Sequence, residues 1–200
     1  MNLLLVIDTS SALSTLALLD GSHAVAERVA ESGRGFDVAA TAEELLEGRA
    51  RHLQGVAVAL GPGSFTGLRS GISFGLGLAR GLGVPIHGLK SLDLVAARGL
   101  DAATALSEAG RGRVYFLTPD GRTGIGEAGE VPRAWPLLGW TRPATADLLR
   151  GAGHIFLPEA RTRSHAAAAA GLLEGSQGVA YDRVRAVYMS PFGGLSEGPA

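Results

Sequence analysis

Apolar and polar positions along the first hundred residues alternate in a way that predicts an α/β domain. Continuous apolar runs, such as residues 3–7 and 56–60, are typical of strands that are buried on both faces. Three meandering strands come first, and helices and strands then alternate. The predicted strands are residues 3–7, 14–19, 24–29, 56–60 and 86–89, and the predicted helices are residues 37–47, 64–82 and 91–98, the last of them capped by Ser91.

The predicted helix over residues 64–82 is apolar on nearly every side, which indicates burial in a core or against a partner. Gly67, Gly71 and Gly75 recur at every fourth position and therefore share one face, where another backbone can come close. Each glycine costs about 0.5–1 kcal/mol relative to alanine in a helix interior, so packing must stabilise this helix. Two interpretations stay open: a core helix packed tightly on the sheet, and a helix that binds a partner.

Composition narrows the class of protein. The chain has 200 residues, of which 46% are hydrophobic, enough for a sizeable core. Its 18 basic and 19 acidic residues give a net charge of −1, so any RNA contact has to be local or shared with a partner. The absence of cysteine and of a signal-peptide pattern leads us to expect a cytoplasmic protein, and Arg69 and Arg80 interrupt the long helix too early for a membrane span.

The chain shows no catalytic set, so we predict no catalytic residue and no metal site. Its histidines lack metal-ligand spacing, and neither a His-Glu-x-x-His helix nor a Gly-x-Ser-x-Gly turn occurs. The turn over residues 61–67 lacks the lysine of a phosphate-binding P-loop. The candidate contacts to a nucleotide phosphate are Asp8, Thr9, Ser10, Gly63 and Ser64; the alternative is that these hydroxyl groups only form turns and caps.

Three strings of the first half resemble the TsaB (YeaZ) family. They are Leu-Val-Ile-Asp-Thr-Ser at residues 5–10, Gly-Pro-Gly-Ser-Phe-Thr-Gly-Leu-Arg at residues 61–69, and Gly-Ile-Ser-Phe-Gly-Leu-Gly-Leu-Ala-Arg-Gly-Leu at residues 71–82. The resemblance implies an α/β fold with two ribonuclease H-like lobes, as in actin-like ATPases, here with a shortened second lobe. We expect the first lobe over residues 1–100, the second over residues 101–191, and a disordered tail over residues 192–200.

The same resemblance implies a function without catalysis by this chain. Family members pair with the TsaD transferase, and with a TsaE-type ATPase as third partner, to form N6-threonylcarbamoyladenosine beside the tRNA anticodon. It also implies a homodimer in the absence of TsaD, tRNA bound only through the complex, and no cofactor of its own, with ATP or ADP in the complex. The implied partner interface is Gly67, Gly71, Phe74, Gly75 and Leu78.

The second half carries weaker signals and departs from the family. Residues 111–116 resemble the start of a second-lobe strand with Glu108 as the acid, residues 164–174 are predicted to form a helix, and residues 186–191 resemble the closing strand with Ser190 in place of arginine. Trp135 and Trp140 are expected to pack between the lobes. Two alternatives remain: an independent actin-like ATPase or phosphotransferase that uses Asp8 and the 61–67 turn, and a Rossmann-type dehydrogenase.

Overall fold

The computed structural model describes residues 2–31, 36–189 and 195–197. The described strands form a five-stranded sheet, a four-stranded sheet and a two-stranded ladder. No helix in these ranges is long and apolar enough to cross a bilayer. The strands are β1 (Leu3–Asp8), β2 (Leu13–Asp20), β3 (His23–Glu31), β4 (Leu53–Gly61), β5 (Ile86–Lys90), β6 (Thr104–Gly110), β7 (Arg113–Leu117), β8 (Thr123–Glu127), β9 (Leu137–Trp140), β10 (Val187–Met189) and β11 (Leu195–Glu197), and the helices are α1 (Val38–Leu46), α2 (Phe65–Leu82), α3 (Ser91–Ala96), α4 (Pro143–Gly151) and α5 (His165–Leu173).

The five-stranded sheet has the order β3-β2-β1-β4-β5, with β1 antiparallel to β2 and parallel to β4. Strand β1 is central and is covered on both faces, which explains its unbroken apolar run. Leu5 and Ile7 point toward α1 and α2, whereas Val6 packs against α3 and α5. The first sheet therefore lies between two helical layers.

The four-stranded sheet has the order β8-β7-β6-β9, which repeats the first four positions of the larger sheet. The segment after α4 extends this similarity, because Phe156 forms a parallel bridge to Leu137 of β9, as a short fifth strand would. Helix α4 covers one face of this sheet, and α3 covers the other. The chain thus contains two lobes built on one topology, the second smaller than the first.

Most predicted elements of the first lobe are confirmed, with each end within three residues of its predicted position. The prediction that Ser91 caps the third helix is wrong. The N-cap of α3 is Lys90, which makes no side-chain capping bond. The Ser91 hydroxyl instead accepts a hydrogen bond of 3.0 Å from the backbone N–H of Gly61, at the end of β4. Ser91 therefore joins α3 to the turn before α2.

This contact predicts a measurable loss of stability. Replacing Ser91 with alanine leaves the buried N–H of Gly61 without its acceptor, which costs about 1–3 kcal/mol. Urea unfolding of the purified variant measures the loss. Ser176→Ala is the control, since Ser176 is exposed and its hydroxyl forms a hydrogen bond of 3.1 Å with Nδ1 of the half-buried His87 ring, a partner that keeps access to water. Equal stability of Ser91→Ala and wild type would contradict the contact.

The predicted domain boundary at residue 191 differs from the structure. Residues 104–157 build the second sheet and α4, but α5 returns to the first lobe and packs on β2 and β3. Strand β10 then lies beside β4. The first lobe therefore contains segments from both ends of the chain.

Two further predictions for the second half need correction, and this half also contains elements that were not predicted. Arg111 and Gly112 form the turn between β6 and β7, and the strand itself begins at Arg113. The Gly-rich and Pro-rich stretch after Gly121 contains β8, β9 and α4, which the sequence patterns missed. The tail predicted to be disordered includes β11, which pairs with β10; the other tail residues, and Arg34 and Gly35 ahead of α1, lie outside the described residues.

Candidate functional site

The glycine face of α2 packs on the first sheet of its own chain. A Cβ atom at Gly67 would overlap the backbone oxygen of Thr9, and one at Gly71 would overlap the Thr9 hydroxyl. A Cβ atom at Gly75 would overlap a methyl group of Val58. The prediction that these three glycines contact a partner is therefore wrong, because the sheet occupies the space that they leave.

The opposite side of α2 is open. No described atom lies within 4 Å of a Cβ atom built at Gly77 or Gly81. Phe74 and Leu78 are half-buried against the first-lobe core, so part of each side chain reaches the surface. Phe65, at the start of the helix, is 54% exposed. Of the predicted interface residues, Phe74 and Leu78 thus remain accessible to a partner. Gly77 and Gly81 lie on the same open side of α2.

The predicted phosphate contacts come together where β1 ends and α2 begins, but they bond to each other. The Thr9 hydroxyl donates to the carbonyl oxygen of Gly67 at 2.7 Å, and the N–H of Ser64 donates to the carbonyl oxygen of Ser10 at 2.7 Å. Gly63 lies so close to Ser10 that a Cβ atom would overlap its carbonyl oxygen. The Ser64 hydroxyl accepts from Gly67 N–H at 3.2 Å and caps α2. A nucleotide contact here stays a prediction.

Asp8 forms a buried pair with a residue that sequence reasoning did not select. Its Oδ2 lies 3.2 Å from Nε2 of His165, and both side chains are almost fully buried. His165 is the first residue of α5, and its ring stacks on Trp140 with centroids 4.8 Å apart. The guanidinium of Arg98 also lies over the Trp140 ring, at 4.2 Å. The 157 positions between Asp8 and His165 explain why no local pattern could reveal the pair.

The surroundings of Asp8 favour its ionised form. Burial alone raises the pKa of this carboxyl group, but the hydrogen bond and charge of His165 and the hydrogen bonds from Ser10 outweigh burial and lower the pKa below its ordinary value. The backbone N–H of Ser10 donates to Oδ1 at 2.9 Å. Asp8 therefore holds α5 and the second-lobe residue Trp140 at the end of β1. Within the described ranges, no group of three His, Asp or Glu side chains is placed to hold a metal ion.

The architecture defines the fold class. A ribonuclease H-like lobe, repeated in a smaller second copy, is the fold of the actin-like ATPase superfamily. The solved structure of YeaZ from Pseudomonas aeruginosa shares this fold, with a TM-score of 0.69 and 21% identity over 94% of this chain and 100% of that chain.

Sequence comparisons show which proteins the chain resembles. A profile of the tRNA N6-adenosine threonylcarbamoyltransferase TsaD matches residues 38–130. The tRNA threonylcarbamoyladenosine biosynthesis protein TsaB of Bacillus subtilis is 34% identical over 120 residues, which cover 56% of this chain and 52% of that protein. An uncharacterized protein of Mycobacterium leprae is 33% identical over 125 residues, or 58% of this chain and 35% of that protein. The match thus spans about half or less of these relatives. These comparisons show similarity to TsaB, TsaD and YeaZ proteins.

Proposed function

We propose that this chain is a non-catalytic subunit that binds a TsaD-type transferase and supports formation of N6-threonylcarbamoyladenosine in tRNA. The observation that carries the proposal is the open outer side of α2, beside the similarity to the Bacillus subtilis protein. The transferase profile matches residues 38–130, a range that includes α1 and α2, so the two proteins would present related helices to each other.

The chemistry of the outer side of α2 suits a helical partner. Gly77 and Gly81 carry no side chain, which lets another helix backbone approach closely. Phe74 and Leu78 supply partly exposed apolar surface next to this gap. Apolar side chains that become fully buried at the centre of an interface contribute most of its binding free energy. The same surface would form the homodimer in the absence of the transferase.

The proposed role needs no catalytic group in this chain. The polar atoms of Asp8, Thr9 and Ser10 are engaged in internal hydrogen bonds, which is the arrangement of a structural contact. A nucleotide phosphate at this position would have to displace His165 from Asp8. We therefore propose that ATP or ADP binds in the complex with the transferase and the TsaE-type ATPase, and not to this chain alone.

A bulky side chain at Gly77 is expected to prevent complex formation and leave the fold intact. A Cβ atom at Gly77 has no described neighbour within 4 Å beyond its own stretch of helix, so the indole of Gly77→Trp would extend outward from the open side of α2 into the space through which the partner would approach. We expect binding of the transferase to weaken at least about tenfold, with product formation reduced in parallel. Light scattering after size exclusion and an in-vitro tRNA threonylcarbamoylation assay measure the two effects.

The matched control is Gly171→Trp, because Gly171 is also an exposed helical glycine with no described atom within 4 Å of its Cβ position. It lies on α5 and should leave the complex unchanged. Equal complex formation by both variants would contradict the proposed surface. If the wild-type chain neither bound the transferase nor increased product formation, the proposed function itself would be wrong, and nucleotide hydrolysis by the isolated chain would be measured next.

A further inference from the structure

The C-terminal segment of the first lobe, residues 181–188, runs antiparallel to α2. The ring of Tyr181 lies 5.8 Å from the Arg80 guanidinium, and its hydroxyl donates to the carbonyl oxygen of Val84 at 2.8 Å. Further along the chain, the Tyr188 ring lies 5.7 Å from the ring of Phe65, at the other end of the helix. The helix rises about 22 Å between these contacts, and residues 181–188, which begin with a 3-10 turn at Tyr181–Arg183, connect them.

Arginine side chains lie along the line where residues 181–188 run beside α2, called the seam below, and they form no ion pairs there among the described residues. Arg69, Arg80, Arg183 and Arg185 are all exposed, and none forms an ion pair with a carboxylate in the part of the chain that the structure describes. Elsewhere arginines do pair, as Arg161 does with Asp101. Asp182 is an exposed acidic residue of the same segment, so the four arginines still leave an excess of positive charge here, in a chain with a net charge of −1.

Aromatic rings are interleaved with these charges. The Arg69 guanidinium lies 3.9 Å from the centroid of the Phe65 ring, and Phe65 is 54% exposed. Guanidinium groups bind phosphates, while exposed rings and guanidinium planes stack on unpaired bases. An acidic protein surface would use the charges but has no need of the exposed ring. The combination therefore favours single-stranded RNA.

We propose that Phe65, Arg69, Arg80, Arg183, Arg185 and Tyr188 form an arginine–aromatic surface that binds an unpaired segment of RNA. The inference rests on the proposed function, which supplies tRNA as the RNA, and it adds a direct RNA contact by this chain to binding through the complex. The surface lies along the side of α2 that faces the C-terminal segment, so RNA and the transferase would bind neighbouring strips of one helix.

The test compares variants of the full chain, alone and in complex with the transferase, in their binding of a fluorescein-labelled tRNA anticodon stem-loop. Arg183→Gln/Arg185→Gln should weaken binding about tenfold. A plot of the logarithm of the association constant against the logarithm of the salt concentration should also become shallower by about 1.4, because each lost phosphate contact to a single strand contributes about 0.7. Phe65→Ala should also weaken binding about tenfold but leave the salt slope unchanged, because it removes stacking and no charge.

The matched control is Arg122→Gln/Arg133→Gln, which removes the same charge from exposed positions of the second lobe and should change affinity less than about twofold. Equal weakening by both double variants would show that the chain binds RNA through net charge only and would overturn the proposal. Loss of the transferase complex in Arg183→Gln/Arg185→Gln, with RNA binding by the isolated chain unchanged, would assign the surface to an acidic protein and overturn it as well. Because RNA binding is also measured on the isolated chain, failure of the complex would count against the proposed function and not against this inference.

Discussion

Replacing Gly67 with alanine is expected to destabilise the protein by about 3 kcal/mol or more, although alanine is the better helix former. The added methyl group would overlap the backbone oxygen of Thr9, and backbone cannot move aside as a flexible side chain can. The Thr9 hydroxyl donates to the carbonyl oxygen of Gly67, so a shift of the helix would also break this hydrogen bond. Urea unfolding followed by circular dichroism measures the change.

Gly77→Ala is the matched control for this prediction, since it makes the same substitution in the same helix. No described atom lies near the new methyl group, so only helix propensity acts, and the variant should be more stable by about 0.5–1 kcal/mol. Opposite signs for the two variants would establish which side of α2 meets the sheet. A stabilised Gly67→Ala variant would contradict the packing of α2 on Thr9.

Replacing His165 with alanine is expected to destabilise the protein by about 3–5 kcal/mol, because it leaves the Asp8 carboxylate buried without its partner. The substitution also removes the ring that stacks on Trp140. Thermal and urea unfolding measure the loss, and His52→Ala, at an exposed position, should change the stability by less than about 0.5 kcal/mol.

The double variant Asp8→Asn/His165→Ala distinguishes the Asp8–His165 contact from simple packing. Asparagine carries no charge, so the double variant should lose less stability than the sum of the single losses. Additive losses would contradict a coupled Asp8–His165 pair.

The pH dependence of stability provides an independent test of the pair. The pKa of Asp8 is lower in the folded protein than its ordinary value, so its stabilising contribution is fully present above that ordinary value. It is lost as the pH falls through the lowered pKa, where the folded protein binds the proton. Asp8→Asn removes this contribution, and its stability should therefore fall less steeply with acid than that of the wild type. Identical acid dependence would contradict the shifted pKa.

These contacts bear on the alternative that the chain is an independent ATPase. In that hypothesis Asp8 and the 61–67 turn would face a nucleotide. Here Asp8 pairs with His165, and the turn packs against Thr9 and Ser10. A nucleotide-binding measurement on His165→Ala, compared with the wild type, would reveal whether removal of His165 opens the position.

Much of the first lobe could be predicted because its signals are local. Apolar runs indicate β1 and β4, and Ser64 stands at the predicted start of α2, where its hydroxyl caps the helix. The second lobe was harder to predict, because β8 and β9 are short and lie in Gly-rich and Pro-rich stretches that are typical of loops. The resemblance to the TsaB family supplied the two-lobed fold that periodicity alone could not.

The sequence by itself determined most elements of the first lobe, the face of α2 on which Gly67, Gly71 and Gly75 allow another group to come close, and the resemblance to the TsaB family. Each of these depends on neighbouring residues or on an ungapped motif. Only the tertiary structure decided that the glycines meet their own sheet and that Asp8 pairs with His165, 157 positions away. The physical reason is that the spacing of glycines along the sequence specifies which face of a helix lacks side chains. The packing of segments that are distant in sequence decides what that face contacts.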